Sequence, residues 1–130
     1  MESLSAFLRA DAARPFVWGV RDCGLRLADW VLARRGVDPA ADVRGRYGSA
    51  EELAVLMGWG GLPRFVDQLA RRAGLERTSS PTSGDIAVIS LRGQTPRGAI
   101  RLARGWSILA DGGVARVPDV GVRLIGAWRV

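Results

Sequence analysis

Hydrophobic side chains recur at a helical spacing through the first half of the chain. Leu4, Phe7 and Leu8 fall on one helical face behind Ser3, whose hydroxyl is suited to cap a helix, and Pro15 closes the segment. The spacing therefore predicts a short amphipathic helix at the start of the chain.

Two further helices are predicted from residues that are typical of helix starts and ends. A second helix is predicted to begin near Asp22 or Cys23 and to run until Gly36, because apolar residues recur between these points at the helical period. Cys23 then lies in its first turn. Ser49, with Glu52 three residues later, forms a capping box and predicts a short third helix.

The pattern changes from helical to strand-like near the middle of the chain. A fourth helix is predicted with Pro63 in its first turn and Gly74 at its end. The polar stretch 78–83 follows, and the continuous apolar run 86–89 predicts a central strand that is covered on both faces.

The last third of the chain predicts strands and one tight turn. Residues 100–102 alternate as in a half-exposed strand, and a final strand is expected over 122–128. Segments 106–110 and 114–117 flank Asp111-Gly112-Gly113, which indicates a hairpin because Asp and Gly tolerate positive φ.

These elements predict an α+β fold. We expect one domain over residues 1–130, in which a helical half (1–76) packs on an antiparallel sheet of about five strands (84–130). A chain of 130 residues has the size of a single domain.

Composition narrows the possible chemistry. The chain has no His, the residue that most often serves as general base, partner of a nucleophilic Cys and metal ligand. Its single Cys excludes an internal disulfide and, without His, the ordinary structural zinc sites. We therefore expect neither a metal nor a cofactor.

Charge and hydropathy point away from two classes of partner. The net charge of +6 comes entirely from Arg, and the arginines are scattered without any nucleic-acid-binding signature, so no nucleic acid is expected. No apolar run approaches the roughly 18 residues of a membrane span, and the start lacks the features of a signal peptide.

Cys23 is the candidate nucleophile. A helix N-terminus favours the thiolate, and Arg21 and Arg26 add positive charge. Both features would lower the pKa of the Cys23 thiol. The alternative is a small buried hydrophobic residue on an apolar helical face. Asp22 is either the cap of this helix or a weak base, and capping is commoner at this position.

Two stretches of sequence resemble the NlpC-like cell-wall peptidases, a branch of the papain-like superfamily. The string PFVWGVRDC at 15–23 is similar to the segment that leads into their nucleophile, and SGDI at 83–86 is similar to the element that opens their central strand. The similarity extends from about Phe16 to the end of the chain. It implies a papain-like fold in which Cys23 occupies the nucleophile position.

The segment RGAI at 97–100 occupies the place where the family carries His-Val-Gly-Ile, so Arg97 or Gly98 stands where its catalytic histidine would be. The third polar residue of the family's site would fall near 108–110, which are apolar. Arg stays protonated and cannot act as a base. The resemblance thus implies a degenerate, non-proteolytic member whose cleft is shallow or plugged.

Within this group the chain is most similar to short phage and prophage proteins, through Gly45-Arg46-Tyr47 and Ala127-Trp128-Arg129. This similarity implies a structural component of a phage or phage-derived tail tip, assembled in the bacterial cytoplasm and located in the virion tail. Its partners would be hub and distal-tail proteins, with peptidoglycan as a further candidate. The alternative is an active peptidoglycan peptidase or amidase that uses Cys23 with a non-histidine or partner-supplied base.

Five tryptophans offer anchors for such partners. Trp59, Trp106 and Trp128 are candidates, because aromatic side chains dominate the energetics of interfaces. Each of the three can equally belong to the core of the domain.

Overall fold

A computed structural model describes residues 2–110 and 112–130, so Asp111 of the predicted hairpin turn lies outside the described residues. Within them the helices precede the strands. The helices are α1 (Leu4–Ala12), α2 (Cys23–Arg35), α3 (Ala50–Met57) and α4 (Gly61–Arg72). The strands are β1 (Ile86–Leu91), β2 (Arg97–Arg101), β3 (Trp106–Ala110), β4 (Gly113–Val117) and β5 (Val122–Trp128).

Side-chain caps begin the first three helices where the sequence predicts them. The Ser3 hydroxyl accepts a hydrogen bond from the Ala6 amide at 3.2 Å, and the Ser49 hydroxyl accepts one from the Glu52 amide at 3.1 Å. The carboxylate of Glu52 accepts from the Gly48 amide, one residue before the cap. The predicted helix ends are therefore confirmed by local hydrogen bonds.

The strands form one antiparallel sheet in the order β4-β3-β2-β1-β5. β1 lies between β2 and β5, as its continuous apolar run predicts. The helices pack against one face, where the largest cluster of buried side chains lies, and a smaller apolar cluster that includes Ile89 and Trp106 forms the other face. The predicted α+β class with a five-stranded antiparallel sheet is confirmed.

The alternation predicted for residues 100–102 is confirmed, because Ile100 and Leu102 are buried and Arg101 between them is partly exposed. The strand itself, β2, extends back to Arg97, and its residues Gly98 and Ala99 are both buried. β2 is an interior strand with neighbours on both sides, so both of its faces are covered. None of the helices in the described part of the chain has the length and apolar character that a membrane span requires.

Candidate functional site

Cys23 is the first residue of α2, and this end of the helix packs directly on β2. A Cβ placed on Gly98 would lie 2.6 Å from the Cys23 carbonyl oxygen and 3.0 Å from Leu27 Cδ1. Position 98 therefore has no room for a side chain. Of the two positions that the resemblance aligns with a histidine, only Arg97 has a side chain, and it lines the same cleft as Cys23.

A cleft of about 460 Å³ lies in front of Cys23. Its described lining consists of Phe16, Trp18, Cys23, Thr95, Pro96, Arg97, Leu109, Ala110 and Gly112. Phe16 and Trp18 form an edge-to-face pair with ring centroids 4.8 Å apart. The expectation was a shallow or plugged cleft, and the described lining, with Ala110 and Gly112 near the end of β3, does not plug it.

The Cys23 thiol is not activated. Burial raises its pKa, and the neighbouring Asp22 carboxylate raises it further, whereas a hydrogen bond from the Gly98 backbone and the charge of Arg97 act in the opposite direction without overcoming burial. The suggestion of a lowered thiol pKa is therefore wrong. The protonated thiol is the favoured form at neutral pH.

Arg21 and Arg26 do not serve the thiol, contrary to the sequence-based suggestion. Both are almost fully buried and point their charge at Asp11 of α1. Arg21 Nη2 lies 2.5 Å from Asp11 Oδ1, and Arg26 Nε lies 2.7 Å from Asp11 Oδ2. Arg26 also donates to the Ser107 carbonyl and hydroxyl oxygens, at 3.0 and 2.6 Å. This ion cluster joins α1, α2 and β3 beneath the site.

Asp22 is a helix cap rather than a base. Its Oδ1 accepts hydrogen bonds from the Gly24 and Leu25 amides at 3.2 and 3.0 Å. Its Oδ2 accepts from the Gly19 amide at 3.1 Å and from the Tyr47 hydroxyl at 2.6 Å. The carboxylate is fully buried, and these four donors use its acceptor sites, so it is not free to take a proton from Cys23.

Tyr47 is the site residue whose role the sequence did not indicate. Burial and the hydrogen bond to Asp22 raise the pKa of its hydroxyl far above the usual range, so the group stays a donor. Its carbonyl oxygen lies so close to Gly19 that a Cβ there would collide with it, and Gly19 has a φ of 78°. The only sequence signal was that Tyr47 belongs to the 45–47 element on which part of the resemblance rests.

The third predicted position is in place and apolar. The β2–β3 register pairs Ala99 with Ile108. Continued by one residue, the same register places Leu109 opposite Gly98. Leu109 and Ala110 both line the cleft and supply no polar atom from their side chains. The structure therefore brings Cys23, Arg97 and the end of β3 together, as the resemblance implies, but with no proton acceptor among the described lining side chains besides the thiol and Thr95.

The chain matches one family over residues 1–130, a domain of unknown function named DUF6950. The chain belongs to the DUF6950 family. None of the curated proteins or solved structures matches it.

In this DUF6950 chain the described lining of the cleft carries no side chain besides the Cys23 thiol and the Thr95 hydroxyl that exchanges a proton. A cysteine nucleophile requires a thiolate and then a proton donor for the leaving amine. In residues 2–110 and 112–130, no three Cys, Asp or Glu side chains cluster in a way that could hold a metal ion. What the described residues supply is one guanidinium, one hydroxyl, one neutral thiol and an aromatic wall.

Proposed function

We propose that this DUF6950 chain is a non-hydrolytic, papain-like domain of NlpC type that serves as an interaction component of a phage or phage-derived tail tip. Its partners are the hub and distal-tail proteins. The domain keeps the cleft of a cysteine peptidase without the proton chemistry.

The observation that carries this proposal is the surroundings of Cys23. Burial keeps its thiol protonated, and the neighbouring strand positions hold Arg97, Gly98 and Leu109, none of which exchanges a proton near neutral pH. Loss of a general base alone removes about a hundredfold to ten-thousandfold in rate. Binding is the role that such a site retains.

The order of elements supports the NlpC-type assignment. The thiol lies at the start of α2, and it packs against β2, with β3 next in the sheet. The resemblance places the nucleophile, the histidine and the orienting residue on these three elements in this order. The tail-tip role is supported by the sequence similarity at 45–47 and 127–129.

One tryptophan is placed for contact with a partner. Trp106 and Trp128 are buried in the domain, so they are core residues. Trp59, between α3 and α4, is 88% exposed, and Val55, four residues earlier in the chain, is 83% exposed. An exposed tryptophan is typical of the anchor of a protein interface.

We predict that the purified chain forms a complex with the hub and distal-tail proteins of its own genome, and that Trp59→Ala weakens it by at least about thirtyfold in Kd, the effect of losing an interface hot spot. Calorimetry measures the affinity. Val120→Ala is the matched control, because Val120 is 79% exposed in the loop before β5 and should leave the Kd unchanged. The proposal fails if no complex forms with either protein at tens of micromolar.

A further inference from the structure

Arg97 gives the Cys23 cleft a feature that a peptidase cleft with histidine would not have. It is the one charged side chain in the described lining of the cleft, and it is half-buried. Within residues 2–110 and 112–130, its guanidinium forms no ion pair and donates no side-chain hydrogen bond. A fixed positive charge therefore faces the space in front of the thiol.

The rest of the lining is apolar or small. The edge-to-face pair of Phe16 and Trp18 and the side chains of Pro96 and Leu109 supply apolar surface. A volume of about 460 Å³ falls within the range of small-ligand sites, in which apolar walls hold the body of the ligand and a few polar groups fix its orientation. Here the orienting groups are Arg97 and the Thr95 hydroxyl.

We propose that the cleft binds the free carboxylate end of a short peptide whose last side chains are apolar. The planar guanidinium of Arg97 matches a carboxylate with two parallel N–H···O hydrogen bonds, a geometry that a neutral amide end cannot reproduce. The apolar side chains of the peptide contact Phe16, Trp18 and Leu109. Cys23 lies beside the bound end and undergoes no reaction.

This inference rests on the proposed function, because a peptide that is cleaved in the site would not remain as a ligand. Beyond the proposed function, it names the class of ligand that the cleft binds. Gly98 contributes no side chain to this recognition, since a Cβ there would meet the α2 backbone, whereas Arg97 lines the same cleft as Cys23.

The test compares two probes, acetyl-Ala-Leu-Ala with a free carboxylate and the same peptide as its C-terminal amide, titrated into the whole chain by calorimetry. The free acid is expected to bind about tenfold to hundredfold more tightly than the amide, as charge-assisted hydrogen bonds predict. Arg97→Gln is expected to reduce the affinity for the acid to that of the amide. Arg104→Gln, an exposed arginine between β2 and β3, is the control and should bind as the wild type does.

Equal affinities for acid and amide, an unchanged affinity in Arg97→Gln, or no binding of either probe at millimolar concentration would overturn the inference and leave the tail-tip proposal intact. Mass spectrometry of the titrated mixture examines the proposed function separately. Release of alanine from the acid probe, or of alaninamide from the amide probe, by the wild type but not by Cys23→Ala would show hydrolysis and defeat the non-hydrolytic proposal.

Discussion

Replacing Asp11 by Ala is expected to lower the free energy of unfolding by about 3–5 kcal/mol, because it leaves two buried guanidinium groups without their counter-charge. Asp11 is fully buried and receives hydrogen bonds from both Arg21 and Arg26. Nε and Nη1 of Arg21 have no partner among the described residues, so Arg21 depends strongly on this carboxylate. Urea denaturation followed by far-UV circular dichroism measures the change.

The matched control is Asp42→Ala, which makes the same substitution in a surface ion pair. Asp42 and Arg72 are 60% and 45% exposed, and exposed pairs contribute about 0–1 kcal/mol. If Asp11→Ala cost no more than Asp42→Ala, the ion cluster would not be what holds α1 and β3 against the N-terminal end of α2. The cluster would then have no part in positioning the site.

Gly98→Ala is expected to cost about 3 kcal/mol, the upper part of the range for overpacking. The new Cβ would lie 2.6 Å from the Cys23 carbonyl oxygen, and a backbone atom cannot rotate out of the way, so the first turn of α2 must move. The same denaturation experiment applies. Gly48→Ala is the control, because the nearest atom to a Cβ there is the end of the Glu52 side chain at 3.6 Å.

The Gly98 result bears on which position the proposed NlpC-type fold aligns with a histidine. A large loss of stability agrees with a packed glycine at 98 and supports the proposal that Arg97 stands at that position. A Gly98→Ala variant as stable as the wild type would show that α2 does not pack on β2 as closely as described. The choice between the two positions would then be open again.

The fold was largely predictable because its signals are local. The caps at Ser3, Asp22 and Ser49 act over two or three residues, so the sequence alone locates the starts of three helices. The apolar run of β1 likewise reports burial directly. The alternation at 100–102 was predictable, but the extension of β2 back to Arg97 was not, because the burial of Gly98 and Ala99 depends on which strands lie beside them.

The effect of Arg21 and Arg26 on the pKa of the Cys23 thiol was predicted wrongly, because the partners of these arginines lie far from them along the chain. Arg26 donates hydrogen bonds to Ser107, 81 residues later in the chain, and to Asp11, 15 residues earlier. No periodicity reveals such partners. Sequence proximity to Cys23 therefore suggested a lowered thiol pKa, whereas the tertiary structure directs both arginines to Asp11 and leaves Cys23 half-buried at the wall of the cleft.

The central claim is that Cys23 is an unactivated thiol in a binding cleft, and its alkylation profile tests this claim most directly. The rate of reaction with iodoacetamide is measured from pH 5 to pH 10 (about the span needed to bracket an ordinary thiol) in the native chain and in urea. The midpoints of the two profiles are compared, because restricted access lowers the rate equally at every pH. Cys23 is the only cysteine, so the signal has one source.

A raised thiol pKa means less thiolate at each pH, so we predict that the native profile rises at higher pH than the unfolded one and that the native chain reacts slowly at pH 6, about two units or more below the pKa of a free thiol. The contrary result is a native profile that already levels off near pH 6, below the unfolded midpoint. That result would identify an activated nucleophile and favour an active peptidase or amidase.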